Sequence, residues 1–190
     1  MKDIIEKLHQ DHIHVAKLLD LYDKQLQILM KGGNPNYIIM RDIMKYMKCY
    51  PDVVHHPLEE IIFEKIENKD KVLDENIEKL CKQHSEIDNI GEELYNKLST
   101  IAAGVVTSLD DFKKWSEKYL ELMRSHMDLE EGKVFPKIRE LFTEVDWEDI
   151  DLELSKQHDP IFGARIEAQY EYLYDCVLSE GNEGGNSVDS

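Results

Sequence analysis

The sequence predicts an all-α protein: an up-down-up-down four-helix bundle with additional C-terminal helices and a disordered tail. Three observations carry this expectation. Apolar residues recur at three-and-four spacing over most of the chain, no segment shows sustained two-residue alternation, and the breaks between long helical stretches span only a few residues. A length of 190 residues is enough for one sizeable core.

The first stretch places Ile4, Ile5, Leu8, His12, Val15, Leu18, Leu19, Tyr22, Leu26 and Leu29 on one helical face. Gly32-Gly33-Asn34-Pro35-Asn36 ends it. A second helix is expected from Tyr37 to Ile66, with a kink or irregular turn at Pro51 and Pro57. Each proline removes an N–H and crowds the carbonyl one turn back. Asn68-Lys69-Asp70 connects to a third helix over Leu73–Ala102, which carries Ile77, Leu80, Cys81, His84, Ile87, Ile90, Leu94 and Leu98. The next break is 104–108, with Ser108 as N-cap of a fourth helix beginning Leu109-Asp110-Asp111. This helix carries Phe112, Trp115, Tyr119, Leu122, Met123, His126, Leu129 and Val134, kinks at Pro136 and ends near Phe142. Asp146 then caps a short helix over Trp147–Lys156, and a further helix covers Ile161–Leu178. Residues 1–142 are therefore expected as the bundle and 143–178 as a helical extension packed on it. Residues 179–190, with three glycines and almost nothing apolar, are expected as a disordered tail.

Composition narrows the function. Lysine and arginine number 23 against 40 aspartates and glutamates, a net charge of −17. That excess opposes nucleic-acid binding, which needs clustered cations on the protein, and disfavours an anionic membrane surface. No apolar run approaches the roughly 20 residues needed to span a bilayer, and the polar opening Met1-Lys2-Asp3 gives no expectation of a leader. Cys49, Cys81 and Cys176 are odd in number and widely spaced, which reads as reduced thiols in a cytoplasm.

The informative pattern appears when the four long helices are taken as two hairpins. His12 is followed 43 residues later by His55-His56-Pro57-Leu58-Glu59-Glu60, and His84 is followed 42 residues later by His126-Met127-Asp128-Leu129-Glu130-Glu131. Residues at i and i+4 share a helix face, so a histidine and a glutamate at that spacing converge on one site. Two hairpins packed about a pseudo-twofold axis would bring four imidazoles and two carboxylates to one level of the interior. Each carboxylate could bridge two cations, and each cation would receive two imidazole nitrogens. That nitrogen and oxygen set, with open positions, suits iron or manganese better than structural zinc. Both His55/Glu59 and His56/Glu60 have the right spacing. Overlaying the Glu-Glu pairs puts His126 on His55 and Met127 on His56, which favours His55 and Glu59 and leaves His56 and Glu60 either behind the ligands or at the rim. A lone buried histidine or a single His-x-x-x-Glu is weak by itself; two matched copies, each with its upstream histidine, are not. His9, three residues before His12, can edge the same face but is read first as solvated or capping; His14 is read as pointing away, His158 as a turn residue, and the methionines as core filler.

The segments Leu8-His9-Gln10-Asp11-His12, His55 through Glu60, His84, and His126 through Glu131 together resemble the hemerythrin-like HHE cation-binding family over about residues 1–142. The resemblance implies a hemerythrin-like bundle holding two carboxylate-bridged non-heme Fe ions, for which Mn or Zn could substitute. It implies His12, His55, His84 and His126 as terminal ligands and Glu59 and Glu130 as bridges. Oxygen-carrying members place a fifth histidine four residues after the helix-three ligand, where this chain has Asp88. They also place a bridging aspartate five residues after the helix-four histidine, where this chain has Glu131, with Glu130 at four. The four-histidine, two-glutamate set is more like members associated with nitric oxide response and iron–sulfur cluster repair. The expected function is binding or reaction with a small ligand (O2, NO or peroxide) in oxygen or nitrosative stress response or sensing. The alternative is a metal-dependent sensor or binding module with a redox or signalling partner, or an iron-handling protein without turnover.

Overall fold

The computed structural model describes residues 4–105, 108–154, 161–162 and 168–183, and every regular element among them is helical. Helix α1 (Ile4–Met30) buries all ten residues of the expected face, together with Asp11 and Leu21. It stops where Gly32 takes φ +79 and Gly33 N–H turns back to the Ile28 carbonyl. Asn36 caps α2 (Tyr37–Cys49) by accepting from the N–H groups of Ile38 and Ile39. The irregular turn expected at the prolines is a π-helical turn over Pro51–His55, closed by His56 N–H on the Pro51 carbonyl, and α3 (His56–Ile66) follows. Asp70 caps α4 (Lys71–Ala102), and Ser108 caps α5 (Leu109–Leu129). A second π-helical turn, Glu130–Val134, closes through Phe135 N–H on the Glu130 carbonyl and leads into α6 (Phe135–Leu141).

Both wide turns close on the residue just before a proline, Pro57 in one case and Pro136 in the other. In regular α-helix a proline ring collides with the carbonyl four residues back, and widening the preceding ring by one residue relieves the clash. The irregularity in the fourth helical stretch therefore lies upstream of Pro136 and includes Glu130, where the sequence pointed to a kink at the proline itself.

The C-terminal region departs more from expectation. Thr143, not Asp146, caps α7 (Glu144–Leu154). Thr143 N–H and Oγ1 both donate to Asp146 Oδ2, and Asp146 N–H approaches Thr143 Oγ1, a reciprocal capping box. A short 3-10 turn (Ala168–Tyr170) leads into α8 (Glu171–Glu183), which continues through Ser179–Glu183 where a disordered tail was expected. His158 lies outside the described residues.

Helix α1 packs against α2 and α5, and α4 packs against α2 and α5, so these four touch in a ring; α7 lies on α3, and α8 on α1 and α2. The apolar core is in two parts. One joins Val15 through Leu29 of α1 to Met40, Met44, Met47, Leu94, Tyr119 and Met123, and extends to Ile161, Tyr170, Leu173 and Val177. The other joins Ile4, Ile5 and Leu8 to Leu58, Ile62, Phe63, Leu80, Phe135, Ile138 and Ile150. Burying each such side chain stabilises the fold by about 1.5–3 kcal/mol. Trp115 and Cys81, expected on inner faces, are exposed instead, and Ser116 takes the interior place beside Trp115 with a 2.9 Å hydrogen bond to Tyr22. No helix among the described residues is long and apolar enough to cross a membrane.

Candidate metal centre

Between the two apolar clusters lies a layer of buried polar side chains: Asp11 and His12 from α1, His55 from the first wide turn, His56 and Glu59 from α3, Gln83 and His84 from α4, His126 from α5 and Glu130 from the second wide turn. The six residues singled out by the hairpin repeat all belong to this layer. Glu59 and Glu130 are fully buried, at 0% exposure, where a carboxylate stays ionised only with positive charge beside it.

The donors form two groups, each with its atoms within 4.8 Å of one another: His12, His55, Glu59 and Glu130, and His56, His84, His126 and Glu59. In the first group the Nε2 atoms of His12 and His55 stand 3.1 Å apart. His55 Nε2 is 3.3 Å from Glu59 Oε1, and His12 Nε2 is 3.2 Å from Glu130 Oε2. On the other side, His84 Nε2 lies 3.3 Å from Glu59 Oε2, and His126 Nε2 lies 3.1 Å from Glu130 Oε1. Each glutamate thus turns one oxygen to each group.

These separations fit cation ligation. Two donors each about 2.1 Å from one cation and about 90° apart stand about 3.0 Å from each other. All four oxygens of Glu59 and Glu130, with Nε2 of His84 and His126, are buried with no hydrogen-bond partner among the described residues. Acceptor atoms facing acceptor atoms in a dry interior need a cation or protons between them. The proton affinities report the same demand. Burial disfavours the His55 imidazolium, yet Glu59 and Asp11 outweigh it and hold its pKa up at about 10. Burial likewise opposes charge on His84, and Glu130 with Glu59 brings it to about 9. Burial and Glu130 push Glu59 upward, but His55 and His84 win and hold it down at about 2. His12 is raised against burial by Glu130 and Glu131. His56 behaves oppositely: burial and the neighbouring His84 drive it well below the usual imidazole range.

A family model for the hemerythrin HHE cation binding domain matches residues 3–138. The chain belongs to the hemerythrin HHE cation-binding family. No curated protein and no solved structure gives a significant match.

Within this hemerythrin domain one expectation needs correction. Of the two places expected for His56, behind the ligands or at the rim, the rim is excluded: His56 is buried at 5% exposure and stacks on His84 with ring centroids 4.2 Å apart, 5.6 Å from His126. The reason is angular. At about 100° per residue, positions 55, 59 and 56 fan across one face with Glu59 in the middle. His55 therefore turns to α1, while His56 turns to α4 and α5. Asp88, at the fifth-histidine position of oxygen carriers, is exposed, and His56 supplies a third imidazole on that side instead. Glu60 is exposed and faces the cleft between α3 and α4.

Two carboxylates went unread in the sequence as partners of the site. Asp11 Oδ2 lies 3.1 Å from His55 Nδ1 and accepts from the Tyr50 hydroxyl at 3.2 Å. Glu131 Oε1 lies 2.7 Å from His12 Nδ1 and 3.1 Å from His9 Nδ1, so His9, its side chain 43% exposed, stands at the site's edge. His14 stacks on Phe162, away from the layer. Asp11 sits beside His12 in sequence, and helical spacing alone would have put it off the His12 face; its meeting with His55 needs the α1–α2 crossing. Phe135 stacks on the His12 ring at 5.5 Å, and Leu58, Ile62 and Leu129 close the same side.

Proposed function

We propose that the chain is a non-heme di-iron protein that binds or reacts with O2, NO or peroxide. The observation that carries it is the pair of buried glutamates, each turning one oxygen to each of two histidine groups. In this reading His12, His55, Glu59 and Glu130 hold one cation, and His56, His84 and His126 with the shared carboxylates hold the other. The ring of contacts among α1, α2, α4 and α5 supports an up-down-up-down four-helix bundle over residues 1–142, with α7 and α8 as its extension. Exposed thiols at Cys49 and Cys81 support a reducing, cytoplasmic setting.

Bound iron would supply paired one-electron redox chemistry. The chain's own contribution is threefold. Its imidazoles set the ligand field, its glutamates offset the cation charge, and the Leu58, Ile62, Leu129 and Phe135 wall keeps bulk water away. To test the reading, the metal-free protein is reconstituted with ferrous iron under argon and exposed to O2 or NO. New near-ultraviolet and visible absorption is expected; an unchanged spectrum rejects small-ligand chemistry.

A sensing role is favoured by one further contact. Helix α7 lies on α3, the helix that carries Glu59, through Ile150 in the shared apolar cluster and the Lys65–Asp149 pair at 2.7 Å. If the extension reports metal state to a protein partner, protease cutting beyond residue 143 should differ between iron-loaded and iron-free protein; equal cutting rejects it.

A further inference from the structure

The two cation positions are alike in their share of the bridging carboxylates but not in what stands behind their histidines. Both imidazoles of the first position are backed by a carboxylate: Asp11 Oδ2 at 3.1 Å from His55 Nδ1, and Glu131 Oε1 at 2.7 Å from His12 Nδ1. In the neutral ring that a cation requires, each contact places the one remaining proton on Nδ1 and leaves the Nε2 lone pair facing the site. Across the layer, the Nδ1 atoms of His84 and His126 are buried with no hydrogen-bond partner among the described residues. Asp11 is itself held, since Tyr50, at the start of the first wide turn, donates to it at 3.2 Å. Asp11 is only 5% exposed, so its charge acts on His55 with little screening by water.

A carboxylate behind an imidazole does two things. It withdraws the Nδ1 proton and so enriches the opposite nitrogen, and it fixes the ring with that nitrogen aimed at the metal. Resting on the di-cation reading above, we infer that Asp11 and Glu131 are positioning residues that make the His12/His55 position the tighter of the two, so that cations load in order. The His56/His84/His126 position, richer in imidazole but lacking the backing carboxylates on His84 and His126, fills second.

The test is calorimetric titration of metal-free, full-length protein with cobalt(II), with the visible cobalt spectrum recorded at each step. Wild-type protein should take two ions in two resolved steps. Asp11→Asn keeps the size of the side chain and its acceptor for Tyr50, and should weaken the tighter step by about 10–100-fold while the looser step holds. Glu131→Gln, half-exposed and tolerant of substitution, should weaken the same step, which keeps the test intact if Asp11→Asn misfolds. Asp11→Glu and Glu131→Asp should restore part of the loss, a rescue that a purely structural role does not predict. The inference is overturned if both steps weaken alike, if the looser step alone moves, or if the two variants act on different steps. A wild-type protein that takes fewer than two ions overturns the di-cation reading itself, a distinct result from two equal, unaltered steps.

Discussion

Loading this site with two divalent cations at pH 7.5 should expel at least about two protons, those of His55 and His84, to which His12, also raised, can only add. In the cation-free protein, Glu59 and Asp11 hold the pKa of His55 at about 10, and Glu130 and Glu59 hold that of His84 at about 9. At pH 7.5 both rings are therefore more than about nine-tenths protonated. A cation needs the neutral imidazole, so each ring must give up its proton on binding. His56, driven well below the usual range, has none to give. One of the two protons comes from each position, since His55 and His84 lie in different donor groups. Affinity at each position should accordingly tighten by about tenfold per pH unit between pH 6.5 and 8.5. The measurement is calorimetry with cobalt(II) in buffers of different ionisation enthalpy, where the dependence of observed heat on buffer heat counts protons directly. His55→Gln should lower the count by about one, and His56→Gln should leave it unchanged although both remove a buried imidazole. A wild-type count of zero would mean that the rings are neutral before metal arrives, and would refute the electrostatic account of the layer.

Two further outcomes follow from the same geometry. His56→Ala should reduce bound iron from two ions toward one per chain, whereas Glu60→Ala should leave it at two; metal analysis that shows the reverse moves the first box by one residue. The cation-free protein should lose thermal stability as pH rises from about 6.5 to about 10. Raised imidazole pKa values stabilise below the unfolded value of 6.5 and that contribution vanishes through about 9 for His84 and about 10 for His55. Melting curves that stay level across that range contradict it.

Much of this was legible in the sequence because helix periodicity is local. The inner faces of α1, α4 and α5 follow from three-and-four spacing, and six donors of the metal layer follow from a motif that repeats. What escaped was whatever depends on how helices cross. His56 was placed behind the ligands or at the rim because its counterpart in the second half is Met127, and a repeat overlay treats mismatched residues as silent. Its inward direction comes from the wide turn and the fan of 55, 59 and 56 around one helix. Asp11 escaped for a related reason. It neighbours His12 in sequence yet serves His55, 44 residues away on another element, a pairing that no single-helix pattern contains. Trp115 was misplaced because a large apolar residue reads as core, while the smaller Ser116 beside it fits the close approach of α1 and α5.

The two half-molecules are alike in their boxes and unlike in their wide turns, and that difference bears on how the site works. In the first half the wide turn ends at His55, so His55 and His56 both reach the interior on either side of Glu59. In the second half it begins at Glu130, after His126, so Glu131 swings to the edge of the layer and meets His12 instead of facing the cations. A perfect twofold repeat would give two equal positions that fill together. The displaced turns place three imidazoles on one side and two carboxylate-backed imidazoles on the other. Were the resulting affinities to differ by about a hundredfold, close to 2.7 kcal/mol, substoichiometric metal would leave a one-cation form with the three-imidazole side open. The prolines that displace those turns, Pro57 and Pro136, are therefore as much a part of the site's chemistry as the ligands they sit beside.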